Sequence, residues 1–211
     1  MPKPHSARVR AYCRVRPAAA RGGDLATSAG DGDSTVTVTP PVSSSIDRRV
    51  QEVPPRGWSF DGVHGPEATQ AAIYDDVAQP ILDAVLQGYN GTILAYGQTG
   101  AGKTHTLLHK GATPDAAGLV PRLVAALFVA IGVDTRHVYR VRASFAQIYN
   151  EQIYDLLRGQ APAARLAVRG AGDAVVDTLS RLPPASAAAG LRVPQRRAAG
   201  PPTASTQHHL A

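Results

Sequence analysis

The stretch Gly97-Gln98-Thr99-Gly100-Ala101-Gly102-Lys103-Thr104 fits the pattern G-x-x-x-x-G-K-[ST], and its neighbours decide how the chain is read. The apolar run Thr92-Ile93-Leu94-Ala95-Tyr96 precedes it, and His105-Thr106-Leu107-Leu108 follows. Strand, glycine loop, helix is the order that a phosphate-binding loop requires. Glycines let the backbone bend through conformations closed to other residues, so that successive N–H groups turn toward phosphate oxygens near a helix N-terminus. Lys103 then supplies a mobile positive charge for the outer phosphates, and Thr104 offers its hydroxyl to a magnesium ion bridging phosphate oxygens. The candidate nucleotide-binding residues are therefore Gly97, Gln98, Thr99, Gly100, Ala101, Gly102, Lys103 and Thr104, with Thr104 the candidate magnesium ligand.

Upstream of the loop the pattern is helical from Pro66, where Ile73, Val77, Ile81 and Val85 recur every four residues and Leu82 and Leu86 widen the stripe. Pro80 is expected to kink this helix, and Gly88 to cap it before the tight turn Tyr89-Asn90-Gly91. Closer to the N-terminus, Arg8 to Arg16 alternates, with Val9, Ala11, Cys13 and Val15 on one face, and predicts a half-buried strand stopped by Pro17. Ala18 to Asp33 lacks periodicity and reads as a loop. Ser34 to Thr39 predicts a second strand, and Trp58 to Val63 a third with Trp58 as a core anchor.

Downstream, Leu119 restarts a helix to about Ile131, read as buried. Val138 to Tyr149 predicts one long strand, Asn150 to Leu157 a short amphipathic turn of helix, and Leu166-Ala167-Val168 with Ala174-Val175-Val176 a hairpin. From Pro183 to Ala211 the chain is Ala-, Pro- and Arg-rich without apolar periodicity, which predicts disorder; His208-His209 there is no metal site. The fold expected is α/β, a central, mainly parallel or mixed β-sheet flanked by helices.

The 211 residues, 44% hydrophobic, suffice for one domain with a real core. The net charge of +6 suits an acidic partner. Nucleic acid is not expected, since interleaved aromatics, a recognition-helix motif and an RNP-like strand are all missing. A single cysteine, Cys13, excludes an internal disulfide and a thiolate zinc site. The first residues carry no apolar signal region, and Leu119 to Val133, interrupted by Pro121 and Arg122, is too short to span a bilayer. A cytosolic protein without membrane contact is expected.

The run from Tyr89 to Thr106 resembles the nucleotide-binding signature of the kinesin motor domain. Three further stretches agree in order and spacing: Cys13-Arg14-Val15-Arg16-Pro17, Phe60-Asp61-Gly62-Val63, and Ser144 to Leu157, the last with Gln147 where glutamate is usual. The resemblance extends from about Arg8 to Leu182 and implies a partial motor domain over 8–182, of P-loop NTPase type, followed by a tail over 183–211. It implies ATP with magnesium as the ligand, microtubules as the partner, and a place on the cytoskeleton. It also assigns Arg14, Pro17 and His105 to the adenine base. The Trp-Ser-Phe entry is similar to the kinesin-nine subfamily, which works in cilia and flagella. Oligomeric state stays open, as no coiled-coil heptads are present.

The departures from the family are specific. Kinesins hydrolyse ATP with a serine-arginine-histidine switch I and an Asp-Leu-Ala-Gly-Ser-Glu switch II, and this sequence contains neither. Asp155-Leu156-Leu157-Arg158 is not that aspartate motif, and Ser43-Ser44-Ser45-Ile46 lies on the wrong side of the loop. The expectation is a motor domain cut short at its C-terminal side, binding ATP and hydrolysing it poorly. Its alternative is a non-catalytic nucleotide- or tubulin-binding fragment.

Overall fold

A computed structural model describes residues 8–17, 27–28, 34–39, 54–109, 114–157, 166, 168–169, 175–176 and 179–181. They belong to two units, Met1–Leu119 and Val120–Ala211. In the first, strands β1 (Tyr12–Arg14), β2 (Thr27–Ser28), β3 (Thr35–Val38), β4 (Arg56–Ser59) and β5 (Gly62–His64) precede the first helix. β1 and β5 pair in parallel with Cys13 opposite Val63. Val15 N–H extends that ladder to His64 O at 2.8 Å. Asp61 pins the strand's start, accepting from Ala11 N at 2.8 Å and from the Arg8 guanidinium. Because β5 is only three residues long, burial begins at Cys13 and Val15, and Val9 and Ala11 stay exposed.

β2, β3 and β4 form an antiparallel sheet. Thr27 and Ser28 fall in the segment expected to be loop; they pair with Val38 and Thr37 because β3 offers a free β-branched edge. The expected third strand divides into β4 and β5, which join different sheets. Trp58 sits opposite Val36 on the sheet's edge strand. It is 47% exposed rather than a core anchor, since no described layer covers that face of β4.

The helical stretch expected from Pro66 starts at α1 (Gln70–Ile73), whose N-cap Thr69 accepts from Ala72 N at 3.1 Å. It passes through a π-helical turn (Tyr74–Ala78) into α2 (Gln79–Leu86). The π-turn lies just before Pro80, whose ring would crowd the carbonyl four residues back in a regular helix. Gln79 N–H reaches Tyr74 O instead. The wider turn rotates the buried stripe to Ile73, Tyr74, Ala78 and Leu82, and leaves Val85 exposed. Gly88, at φ +95°, ends the helix as expected: its N–H binds Val85 O at 3.0 Å and Tyr89 N–H binds Ala84 O at 3.0 Å.

Thr92 to Tyr96 takes no part in any described sheet, and Leu94 and Tyr96 are 86% and 96% exposed. A strand needs a neighbour to complete its ladder, and among the described residues none pairs with it. Helix α3 (Lys103–Leu108) follows the glycine loop, and a 3₁₀ turn (Pro114–Ala116) leads to α4 (Leu119–Val133).

Of α4 only Leu119, the last residue of the first unit, is buried, and Val129 and Val133 in the second unit are exposed; the apolar content is as read, the burial is not. The expected long strand is reduced to β6 (Ala146–Tyr149). Asn150 to Leu157 is not helical: it turns through Asn150 (φ +48°) and Glu151 (φ +58°) into β7 (Gln152–Asp155), antiparallel to β6. Two central residues at positive φ make the hairpin turn whose twist suits two strands. The hairpin of β8 (Val168–Arg169) and β9 (Val175–Val176) forms as expected. Buried Asp155 accepts from Leu157 N at 2.9 Å and Ser180 N at 2.7 Å. The stretch 183–211 lies outside the described residues.

At Gly118 a Cβ would lie 2.8 Å from Thr106 O and 2.9 Å from His109 N, both backbone, and Gly118 N–H binds His109 O at 2.6 Å. Gly118→Ala should therefore cost at least about 2 kcal/mol in urea unfolding, the upper part of the range for overpacking a well-packed site. After α4, the Tyr139 hydroxyl at 2.6 Å, the Arg136 N–H at 2.8 Å and His137 Nδ1 at 2.8 Å all bind the Asp134 carboxylate and hold it well below the usual range. A depressed acid pKa adds stability that is present above the unfolded value and lost as pH falls through the folded one. The carbon-13 shift of the Asp134 carboxyl should stay flat down to about pH 3, whereas an ordinary aspartate is half protonated near about pH 4.

Candidate nucleotide-binding site

The loop from Gly97 to Gly102 turns through Ala101 N–H to Gln98 O at 3.1 Å. Gly100 and Gly102 lie at φ +83° and +104°, and an added Cβ would meet nothing within 4 Å at either. Glycine is demanded there by backbone conformation rather than by crowding, and the space a side chain would fill stays open. Gly102 caps α3 without a side-chain acceptor. The first-turn N–H groups of a helix have no intrahelical partner, so they are donors that a ligand anion can use.

Two cations rest on this loop. Lys103 Nζ donates to Gly97 O and Gln98 O, both at 2.8 Å. Arg16 Nη1 donates to Gly100 O at 2.7 Å. Gln98, Thr99, Gly100, Ala101, Thr104 and His105 are exposed, and Gly97, Gly102 and Lys103 are half-buried. Among the described residues no group of three or more His, Cys, Asp or Glu could hold a metal. Thr104, a hydroxyl donor of the oxygen class that magnesium takes, is compatible with an ion whose remaining ligands are phosphate oxygens and water.

Behind the loop lies a polar network. Arg14 Nη1 donates to Gln70 Oε1 at 3.0 Å and to Thr106 Oγ1 at 2.8 Å. Gln70 Nε2 donates to His105 O at 2.8 Å and faces His105 Nδ1 at 3.4 Å. The His105 and His109 rings stand 4.6 Å apart at 32°. Desolvation, then the charge of Arg14, then His109 push the His105 imidazole below its ordinary pKa. Burial alone lowers Arg14.

Of the residues assigned from sequence, Gly97 to His105 lie on the loop and the first turn of α3, and Arg14 reaches them through Thr106 and Gln70. Pro17 is exposed where the chain leaves β1, and it is Arg16, one residue earlier, that reaches the loop. Sequence reasoning missed both Arg16 and Gln70 as site residues. For Arg16 the signal was its two-residue spacing from Arg14, which puts both on one face of a strand. For Gln70 the available signal was an amide at the start of a helix, just after its N-cap.

The kinesin motor domain profile matches residues 14–208. The chain is 41% identical to the kinesin-like protein KIF3C of Mus musculus over 115 residues, 54% of this chain and 14% of that protein. It is 38% identical to the kinesin-like protein KLP1 of Chlamydomonas reinhardtii over 149 residues, 71% of this chain and 19% of that protein. It thus spans less than a fifth of these relatives. A solved structure of a fast kinesin, described for its ATPase mechanism and interactions with microtubules, aligns at a TM-score of 0.74 and 31% identity, over 89% of this chain and 51% of that one. The α/β architecture around the loop is therefore that of the motor-type P-loop fold, and the chain belongs to the kinesin motor domain family.

Proposed function

We propose that this chain binds Mg·ATP at Gly97 to Thr104 and represents the nucleotide-binding part of an ATP-driven microtubule motor. The observation that carries the reading is the loop itself: open glycine positions at Gly100 and Gly102, first-turn donors of α3 without a side-chain cap, and the cations Lys103 and Arg16 on its carbonyls. Kinesin motor domains bind nucleotide with magnesium and bind microtubules, which supports the choice of ligand and partner.

In this reading the loop N–H groups hold the phosphates, and Lys103 exchanges its two carbonyl acceptors for phosphate oxygens. Thr104 Oγ1 is the magnesium ligand; magnesium, when bound, offsets the charge on the phosphates. His105 and Pro17 flank the base, with Arg14 as the strut that fixes His105 through Gln70. Work on the cytoskeleton follows from the family. A ciliary or flagellar place rests on the kinesin-nine resemblance, together with the similarity to the Chlamydomonas reinhardtii protein.

A second reading has its own support, because none of the 211 residues forms either switch motif. Positioning water and neutralising charge at the γ-phosphate are what those motifs supply, so the chain by itself is a nucleotide binder with little hydrolysis. Microtubule-stimulated phosphate release separates the two readings, and the 211-residue chain is expected to show none above its basal rate.

Titration calorimetry with Mg·ATP tests the site. Lys103→Ala should weaken binding about 10- to 100-fold, the worth of one or two charge-assisted hydrogen bonds, while the thermal midpoint changes little. Equal affinity of Lys103→Ala and the unaltered chain would overturn the assignment.

A further inference from the structure

Gln70 is 6% exposed and has both ends of its amide committed. A guanidinium only donates, so the atom facing Arg14 Nη1 at 3.0 Å must be the amide oxygen. A backbone carbonyl only accepts, so the atom 2.8 Å from His105 O must be the amide nitrogen. Two independent partners thus fix the same orientation of the amide, leaving none of the usual ambiguity between its oxygen and nitrogen. The second N–H of that nitrogen faces His105 Nδ1 at 3.4 Å. Facing a donor, Nδ1 must carry the lone pair, and the single ring proton belongs on Nε2. Protonating Nδ1 would set donor against donor.

We infer that Gln70 is a positioning residue for base recognition: it holds the His105 ring as the Nε2–H tautomer in a fixed orientation beside the phosphate loop. The inference rests on the nucleotide reading of the site and adds what selects the state of the ring. Around His105, the His109 ring of α3 stands 4.6 Å away, and Gln70 of α1, itself held by Arg14 of β1, offers a donor. A ring of one tautomer and one orientation offers a flat face and one N–H, which suits a purine's π-face and ring nitrogens.

Long-range proton–nitrogen NMR of the full chain reads the tautomer directly and needs no variant. Nε2–H is expected for His105, and Nδ1–H would overturn the inference. In Gln70→Glu the carboxylate still accepts from Arg14 but its second oxygen can donate neither to the His105 carbonyl nor to the ring, so His105 should switch to Nδ1–H. Calorimetry then compares Mg·ATP with magnesium tripolyphosphate, which has no base. Gln70→Glu should weaken ATP about fivefold, the worth of one hydrogen bond, and leave tripolyphosphate within about twofold. In a His105→Phe background the ATP effect should vanish; if it persists, or if both ligands weaken together, Gln70 acts only on structure and the inference falls. A chain of unaltered sequence that binds neither ligand would overturn the nucleotide reading and this inference together. Binding of both with no effect of position 70 would overturn this inference alone.

Discussion

A six-residue helix does not hold itself in water, since nucleating one turn costs more than so short a run returns. α3 is such a helix, and none of its residues is buried. What keeps it in place is polar: the Arg14 guanidinium reaches across from β1 to Thr106, Gln70 reaches from α1 to the His105 carbonyl, and Gly118 closes on His109. Everything at the loop depends on this tie, because the loop's C-terminal anchor is the first turn of α3. The parallel pair β1–β5 gives Arg14 its footing, and the N-cap at Thr69 gives Gln70 its own.

The glycine loop, the stop at Gly88 and the β8–β9 hairpin were legible in sequence because each rests on local chemistry, a glycine at positive φ or a β-branched pair around a turn. What failed was whatever depends on partners. Asn150 to Leu157 has helical spacing of its apolar residues, yet Asn150 and Glu151 adopt the hairpin turn and β6 captures the segment. The stripe Ile73, Val77, Ile81, Val85 assumed 3.6 residues per turn throughout, and the π-turn ahead of Pro80 rotated it. Trp58 and Val129 were read as inside because they are apolar, and Thr92 to Tyr96 as a strand, but burial requires a facing layer and a strand a neighbour, and sequence pattern does not say whether one is present.

At the candidate site, the residues proposed to hold phosphate were legible as a contiguous motif, whereas the polar tie behind them was not. Arg14, Gln70 and Thr106 are scattered along the chain, and only the meeting of β1, α1 and α3 gives them a common purpose. A glutamine at a helix start is ordinary in sequence; buried, with each end of its amide matched to a partner of one polarity, it is not.

Lys103 already makes two hydrogen bonds to its own loop. The ammonium has a third N–H, so a first ligand oxygen can be taken without cost to the loop, and every further one displaces a loop carbonyl. A neutral ligand of the right shape gains nothing from that displacement, because one oxygen dipole merely replaces another. Only an oxygen bearing formal charge tips it, so under the proposed reading the loop would rank ligands by charge density before outline.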